Sequence, residues 1–331
     1  MDVGDEARDV EALETVLFRF VSTEDAQFED AVNRVLPKVL AYLSKPSERT
    51  RNKVLEILAH VNKRLQVQPS IQIPVRDILA LFTSPAGNNS FVASFCLVYL
   101  EMGFLRMPAE ARVELIPATL VGIAARVASQ QTTLLHIFLE ALPHFRLISL
   151  TDEERAKRFP VSLSAADRAV ILQFFLDVLL YTPQASGAAP PGLSAEAVDR
   201  VTKTGKVIWK LDDWNRKIDS VLDFLIAGVF PGPEIVPHLL LASSLGSQAS
   251  VMRAEAAFKR LRQEDYDHAG TVKTMMQLYL GDIEKKDANP PLSDRQRRSA
   301  VPFQAKLKIL QMLSRCSAAA SQGMLTVQVG E

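Results

Sequence analysis

An all-α fold, an α-solenoid of stacked helical pairs, is predicted by three features of this 331-residue sequence. Apolar residues recur at the i, i+4, i+7 spacing of one helix face almost throughout. Convincing strand alternation is absent, and the links between periodic segments are short. A compact helical bundle is the alternative all-α arrangement.

Taken in order, the period predicts helices over 7–21, 24–44 and 47–66. The third is the clearest. Val54, Leu55, Leu58, Val61 and Leu65 form one apolar face, and Arg51, Lys53, Glu56 and Lys63 form the opposite one. Further helices are predicted over 74–83, 90–102, 109–128 and 131–142, the third of these marked by Val113, Ile116, Leu120, Ile123 and Val127. The segment 165–182 is apolar nearly all round, which makes it an inner-layer helix, interrupted only by Gln173 and Asp177 in its run from Val170 to Tyr181. That run is shorter than the ~20 residues needed to cross a bilayer. The remaining segments are 206–228, 233–245, 249–263, 269–280 and 302–315, the last with Phe303, Leu307, Leu310 and Leu313 as its buried face.

Proline punctuates this pattern in two ways. Pro74, Pro108, Pro233 and Pro302 stand where a first turn tolerates a missing amide hydrogen, so they mark helix starts. Pro37, Pro117 and Pro237 fall inside apolar helical sequence in a shared local pattern and should kink their helices. Their separations are about two and three multiples of a ~40-residue unit, the period of HEAT or armadillo helical pairs. The Pro-, Gly- and Ala-rich stretch from Thr182 to Gly192 reads as unpacked. The expected organisation is therefore a helical block over 1–182, a flexible linker or intra-repeat insertion over 183–204, and a second helical block over 205–331. Glu284–Ser299 is expected to be a second exposed loop.

Hydrophobic residues make up 48% of the chain and charged residues 23%, as in an ordinary folded protein. Lys plus Arg and Asp plus Glu number 38 each, so no global field draws the chain to nucleic acid or to an anionic membrane. The acidic start, Met1–Glu14, has neither the basic and apolar run of a secretory signal nor the Arg-rich character of a transit peptide. An intracellular protein is expected, with Cys96 and Cys316 as free thiols.

Candidate chemistry is sparse. His136 and His144 flank Glu140, but eight residues along a helix separate them by about 12 Å, and Pro143 intervenes. Ordinary core or interface histidines are expected, and no metal. Cys96 lies in the apolar setting Ser94–Val98, where burial raises a thiol pKa and makes it inert. Asp152–Glu154 and Asp212–Asp213 sit at helix starts, where negative charge complements the helix dipole. No Gly-rich phosphate loop, nucleophile elbow or nucleotide fingerprint occurs, so neither an enzyme nor a cofactor is expected. The run Lys285–Lys308 contains a basic patch, Lys285, Lys286, Arg295, Arg297 and Arg298, that could meet an acidic protein surface.

Several segments, in order, resemble the N-terminal region of the proteasome adaptor and scaffold family of very large HEAT-repeat proteins. They are Leu36–Ser44, Arg51–Arg64, Ile71–Val75, Ser90–Val92 with Val98–Gly103, Leu172–Leu180, Val236–Ser244, Leu278–Ile283 and Ala305–Leu310. The resemblance runs from about Val10 to about Val329. It departs after Tyr181, where the family tends to carry a longer polar insertion, and in length, because the family chain is several times longer; an N-terminal fragment or truncated product is expected. The resemblance implies a non-catalytic scaffold in the cytoplasm and nucleus. Its implied partners are subunits of the proteasome core and regulatory particles, together with other cellular adaptors, and it would hold or inspect their assembly. It implies no catalytic residues, and no specific nucleic acid. A transport-receptor-like or general protein-interaction solenoid is the alternative that shares the fold.

Overall fold

The computed structural model describes residues 3–183, 189–282 and 292–316. Sixteen α-helices and no strands occur among these residues, an all-α fold as the sequence predicts, with α-helices over Asp152–Arg158, Ala195–Thr202 and Gln263–Tyr266 beyond the expected set. None of the helices is long and apolar enough to cross a membrane.

The chain divides into two compact units: residues 1–120 with 126–137, and 121–125 with 138–331. The first contains α1 (Val3–Ser22), α2 (Asp25–Ala41), α3 (Glu48–Val67), α4 (Val75–Thr83), α5 (Ser90–Arg106), α6 (Ala109–Leu120) and the start of α7 (Ala128–Phe145). Each helix is built from a local signal. Ser47 caps α3 by accepting from the Thr50 amide at 3.1 Å, and Asn89 caps α5 by accepting from the Phe91 amide at 2.9 Å. Pro74 immediately precedes α4, whereas Pro37 and Pro117 lie inside α2 and α6. Val54, Leu58, Val61 and Leu65 are buried as expected, with Ile57 among them.

Packing in this unit follows a register. α1 lies on α3, α4 on α5, and α2 against both α4 and α5. Its long-range side-chain hydrogen bonds span 35 to 44 residues, from Arg106–Ile71 to Arg64–Phe20. Two arginines show the repeat most directly. Arg64 donates to the carbonyls of Phe20 and Thr23, both at 2.9 Å, while its guanidinium covers the Phe28 ring at 3.8 Å. Forty-two positions later, Arg106 donates to the carbonyls of Leu65 at 2.8 Å and Ile71 at 2.9 Å. In each case the end of one helix satisfies the orphan carbonyls that end the helix one repeat earlier.

The second unit contains the rest of α7, then α8 (Asp152–Arg158), α9 (Ala165–Leu180), α10 (Ala195–Thr202), α11 (Leu211–Ile226), α12 (Gly232–Leu245), α13 (Gln248–Phe258), α14 (Gln263–Tyr266), α15 (Ala269–Leu280) and α16 (Phe303–Leu313). Phe224 centres its core, with the rings of Phe138, Phe145, Phe159, Phe175 and Phe230 at centroid distances of 5.1 to 6.2 Å, mostly edge-on. α9 is buried on nearly all sides and packs on α12, which also touches α13, α15 and α16.

The chain passes from one compact unit to the other over residues 120–137. Within 183–204, Gln184–Ala188 lie outside the described residues, but the segment after them forms α10 and buries Leu193, Ala197 and Val201. Ser194 caps it by accepting from the Ala197 amide at 3.1 Å. On α16, Phe303 is 69% exposed, Leu307 45% and Leu310 40%; Ala305, Ile309 and Leu313 bury instead. The core takes Ala305–Ile309–Leu313, an i, i+4, i+8 line, so only Leu313 of the expected face turns inward.

Candidate functional site

Asp177 has a side chain with no exposure, in the middle of apolar α9. A carboxylate so placed needs partners, because a buried charge without them costs several kcal/mol. It has three. Arg200 of α10 donates from Nε to Oδ2 at 3.0 Å, Arg298 donates from Nη2 to Oδ1 at 3.0 Å, and Gln173 donates from Nε2 to Oδ1 at 3.1 Å. One carboxylate thereby fastens both α10 and the strap before α16 onto α9.

The strap and α10 are also joined to each other. The Glu196 amide donates to the Arg295 carbonyl at 2.9 Å, Arg295 pairs with Asp199, and the Gly192 amide donates to Ser299 Oγ at 3.0 Å. Gly192 has φ +90, and an added Cβ would meet Leu180 and Val301 at 3.1 Å, so both the turn and the close approach call for glycine.

This places the expected basic patch. Lys285 and Lys286 lie outside the described residues. Arg298 faces inward to Asp177, Arg295 pairs with Asp199 while staying 70% exposed, and Arg297 reaches the Leu292 carbonyl at 3.3 Å. Beside the strap, a groove of about 480 Å³ between α9, α12 and α15 is lined by Ala165, Ala169, Pro233, Pro237 and Thr274. It adjoins a second hollow of about 300 Å³, lined by Gln277, Gln296 and Ser299. Gln173, Leu176, Thr274 and Gln277 belong to both. Amides and small side chains share the lining with Glu234, which pairs with Arg168, and with Asp282 and Arg298.

The link from α10 to α11 is built tightly. Lys203 and Thr204 both take left-handed backbone angles, φ 49 and 59, followed by Gly205 at 77. Such conformations cost ~1 kcal/mol or more for residues other than glycine. They are held by Thr204 N to the Asp199 carbonyl at 2.6 Å, Val207 N to the Thr202 carbonyl at 2.9 Å, and Gly205 N to Thr202 Oγ1 at 3.1 Å. Trp209 donates from Nε1 to the Val201 carbonyl at 3.2 Å and packs at a tilt of 48° against Trp214, 5.1 Å away; Trp214 donates to the Tyr181 carbonyl at 2.8 Å.

The other candidate residues have structural surroundings. His136 is buried, and Glu140 accepts from Lys217 Nζ at 2.7 Å. No group of three His, Cys, Asp or Glu residues that could hold a metal occurs among the described residues. Burial pushes the Cys96 thiol up to about 12. Asp152, Glu153 and Glu154 open α8, where Thr151 and Glu154 form a reciprocal cap, and Asp212 and Asp213 open α11. Sequence reading missed two polar nodes. The first is Asp167, which is buried. Its burial raises the carboxyl, but donors outweigh that effect and lower it: the Ala124 amide at 3.0 Å, Ser164 Oγ at 2.8 Å and the Gly122 amide at 3.2 Å. The second is His238, whose burial pushes its pKa down to about 4, with Nε2 donating to the Leu172 carbonyl at 2.8 Å.

The sequence matches, over residues 13–329, the family model described as the N-terminal part of proteasome component ECM29. It is 30% identical, over 96% of its length, to the human proteasome adapter and scaffold protein ECM29, and 27% identical, also over 96%, to the Drosophila melanogaster proteasome-associated protein ECM29 homolog. The Saccharomyces cerevisiae proteasome component ECM29 is 20% identical over 87% of the chain. The chain spans 18%, 16% and 17% of the lengths of these relatives. With nearly its whole length covered by the family model, the chain belongs to the ECM29 family and corresponds to that family's N-terminal region.

Proposed function

We propose that this chain is a non-catalytic, protein-binding part of a proteasome scaffold, working in the cytoplasm and nucleus. In this reading it links or stabilises core and regulatory particles and supports quality control of their assembly. The observation that carries the reading is the 30% identity, over 96% of the chain, to a human protein named as a proteasome adapter and scaffold. The residues agree with it: the buried thiol, the capping carboxylates and the ion-paired Glu140 are engaged in folding. The transport-receptor-like reading explains the helical repeats equally but not the likeness to the ECM29 proteins. Arg297 and the outer side of Arg295 are the described parts of the basic patch available to an acidic subunit face.

Purified 26S proteasome, core particle and regulatory particle, each passed over immobilised chain, test the proposal. Retention of any of them above an unrelated helical-repeat protein is expected, falling as salt rises. Equal retention by the unrelated protein would refute it.

A further inference from the structure

We infer that the loop Lys203–Leu211 is a docking finger that inserts Ile208 into an apolar socket on a partner protein whose socket is rimmed by carboxylates. The inference rests on the proteasome-scaffold reading and names a surface within it.

Ile208 is 91% exposed, more than any other large apolar residue described, and Leu211, one turn of chain away, is 55% exposed. A single exposed aliphatic needs no explanation. Here it coincides with a loop that is held in place at a conformational cost. Two consecutive non-glycine residues are left-handed, and contacts fix both flanks: hydrogen bonds to Thr202 and Asp199 on one side, Trp209 against Trp214 on the other. Strain retained at a rigidly supported surface element is a mark of function, since a relaxed loop would connect α10 to α11 equally well. The whole segment is also surplus to the repeat, as the residue separations in the second unit show: Arg168 and Glu234 are joined across 66 positions, against 35 to 44 in the first unit.

The chemistry of the partner follows from the charges. Lys206 and Lys210 bracket Ile208 and form no ion pair among the described residues. An apolar tip between two unpaired ammonium groups is complementary to an apolar hollow edged by Asp or Glu. A protein is favoured over an anionic lipid surface because one isoleucine and one leucine provide far less apolar area than an interfacial membrane element uses.

The test uses the whole chain and purified 26S proteasome. Ile208→Asp should weaken binding about tenfold to a hundredfold, the range set by losing one buried aliphatic anchor. Lys206→Glu with Lys210→Glu should weaken it roughly tenfold at low salt and less as salt rises. Val67→Asp, at a residue 76% exposed in the other unit, should leave it unchanged. Ile208 makes few contacts, so its variant should melt with the wild type. A photo-crosslinker at 208 should join the chain to a proteasome subunit, and one at 67 should not. Unchanged binding by Ile208→Asp at unchanged melting temperature, or no crosslink from 208 despite binding, overturns the finger and leaves the scaffold reading standing. If wild-type chain does not bind proteasome at all, both fall. Ile208-dependent binding to phosphatidylserine vesicles with proteasome binding intact would reassign the loop to membranes.

Discussion

In the first unit, the long-range side-chain hydrogen bonds span 35 to 44 residues; in the second they spread more widely, from 30 to 38 residues in some places, through 43 to 53, to 65, 66 and 77 in others. The 65-residue link from Lys308 to the Ser243 carbonyl steps over the segment between α15 and α16, whereas the 66- and 77-residue links both step over positions 181–210. Removing those thirty positions brings the 66 between Arg168 and Glu234 down to 36, inside the range of the first unit. The same subtraction brings the 77 between Glu140 and Lys217 to 47, and α8 lies within what is left. A regular stack is thus continued through an inserted segment, which is tied down by a buried carboxylate while helix-to-helix packing proceeds around it. The lesson is physical. A repeat array tolerates an insertion when its ends return to neighbouring positions and its polar anchors are fully paired.

The sharpest way to break the regular unit is a charge in its core. Leu58→Asp, at a residue 1% exposed, should cost about 4 kcal/mol or more and melt the first unit, as a chemical-denaturation curve with a separate early transition would show.

The irregular unit has its own weakness, which is acid. His238 has a folded pKa of about 4 against an ordinary 6.5, so the unfolded chain binds the extra proton between those values. Stability should therefore be lost as pH falls from about 6.5 to about 4, by about 3 kcal/mol at most, and be retained above that window. His238→Gln should flatten this part of the melting-temperature profile. The lowered Asp167 carboxyl acts at lower pH. Its contribution is present above the ordinary carboxylate range and is lost as pH falls below it.

Asp177→Ala should cost about 2–4 kcal/mol, confined to the second unit. The figure is held below that for a fully buried pair because Arg200 and Arg298 keep 27% and 22% side-chain exposure and can reach water.

How much of this is legible in the sequence depends on scale. Helix periodicity and helix-start prolines identify every long helix, because each signal is local. α10 escaped because the Pro- and Gly-rich residues before it dominate the composition, although Ser194 as cap with Ala197 and Val201 at i, i+4 is a helical signal. The α16 face was misassigned because Phe303, Leu307, Leu310 and Leu313 form as good a stripe as Ala305, Ile309 and Leu313, and only tertiary packing chooses between them. Asp177 could be read only as a break in an apolar run. Its arginine partners lie 23 and 121 residues away, a pairing that no local pattern announces.

Smaller effects sharpen the comparison. Arg64→Ala and Arg106→Ala occupy equivalent repeat positions and should each cost about 1–2 kcal/mol, nearly additively, as thermal melts of the two single variants and the double variant would show. Unequal costs would argue against equivalence. Smallest of all, Leu310→Asp should stay within about 0.5–1 kcal/mol, because the residue is 40% exposed and can turn its carboxylate to water.

Hydrogen exchange over residues 195–202, in the wild type and in Asp177→Asn, measures most directly whether the inserted segment is a packed part of the second unit. Amides late in α10 should be protected to a degree comparable with α9, and Asp177→Asn should loosen α10 and residues 295–301 together while leaving α1 to α5 unchanged. Exchange at the rate of an unstructured linker in the wild type, or an Asp177→Asn effect spread evenly over both units, would contradict it.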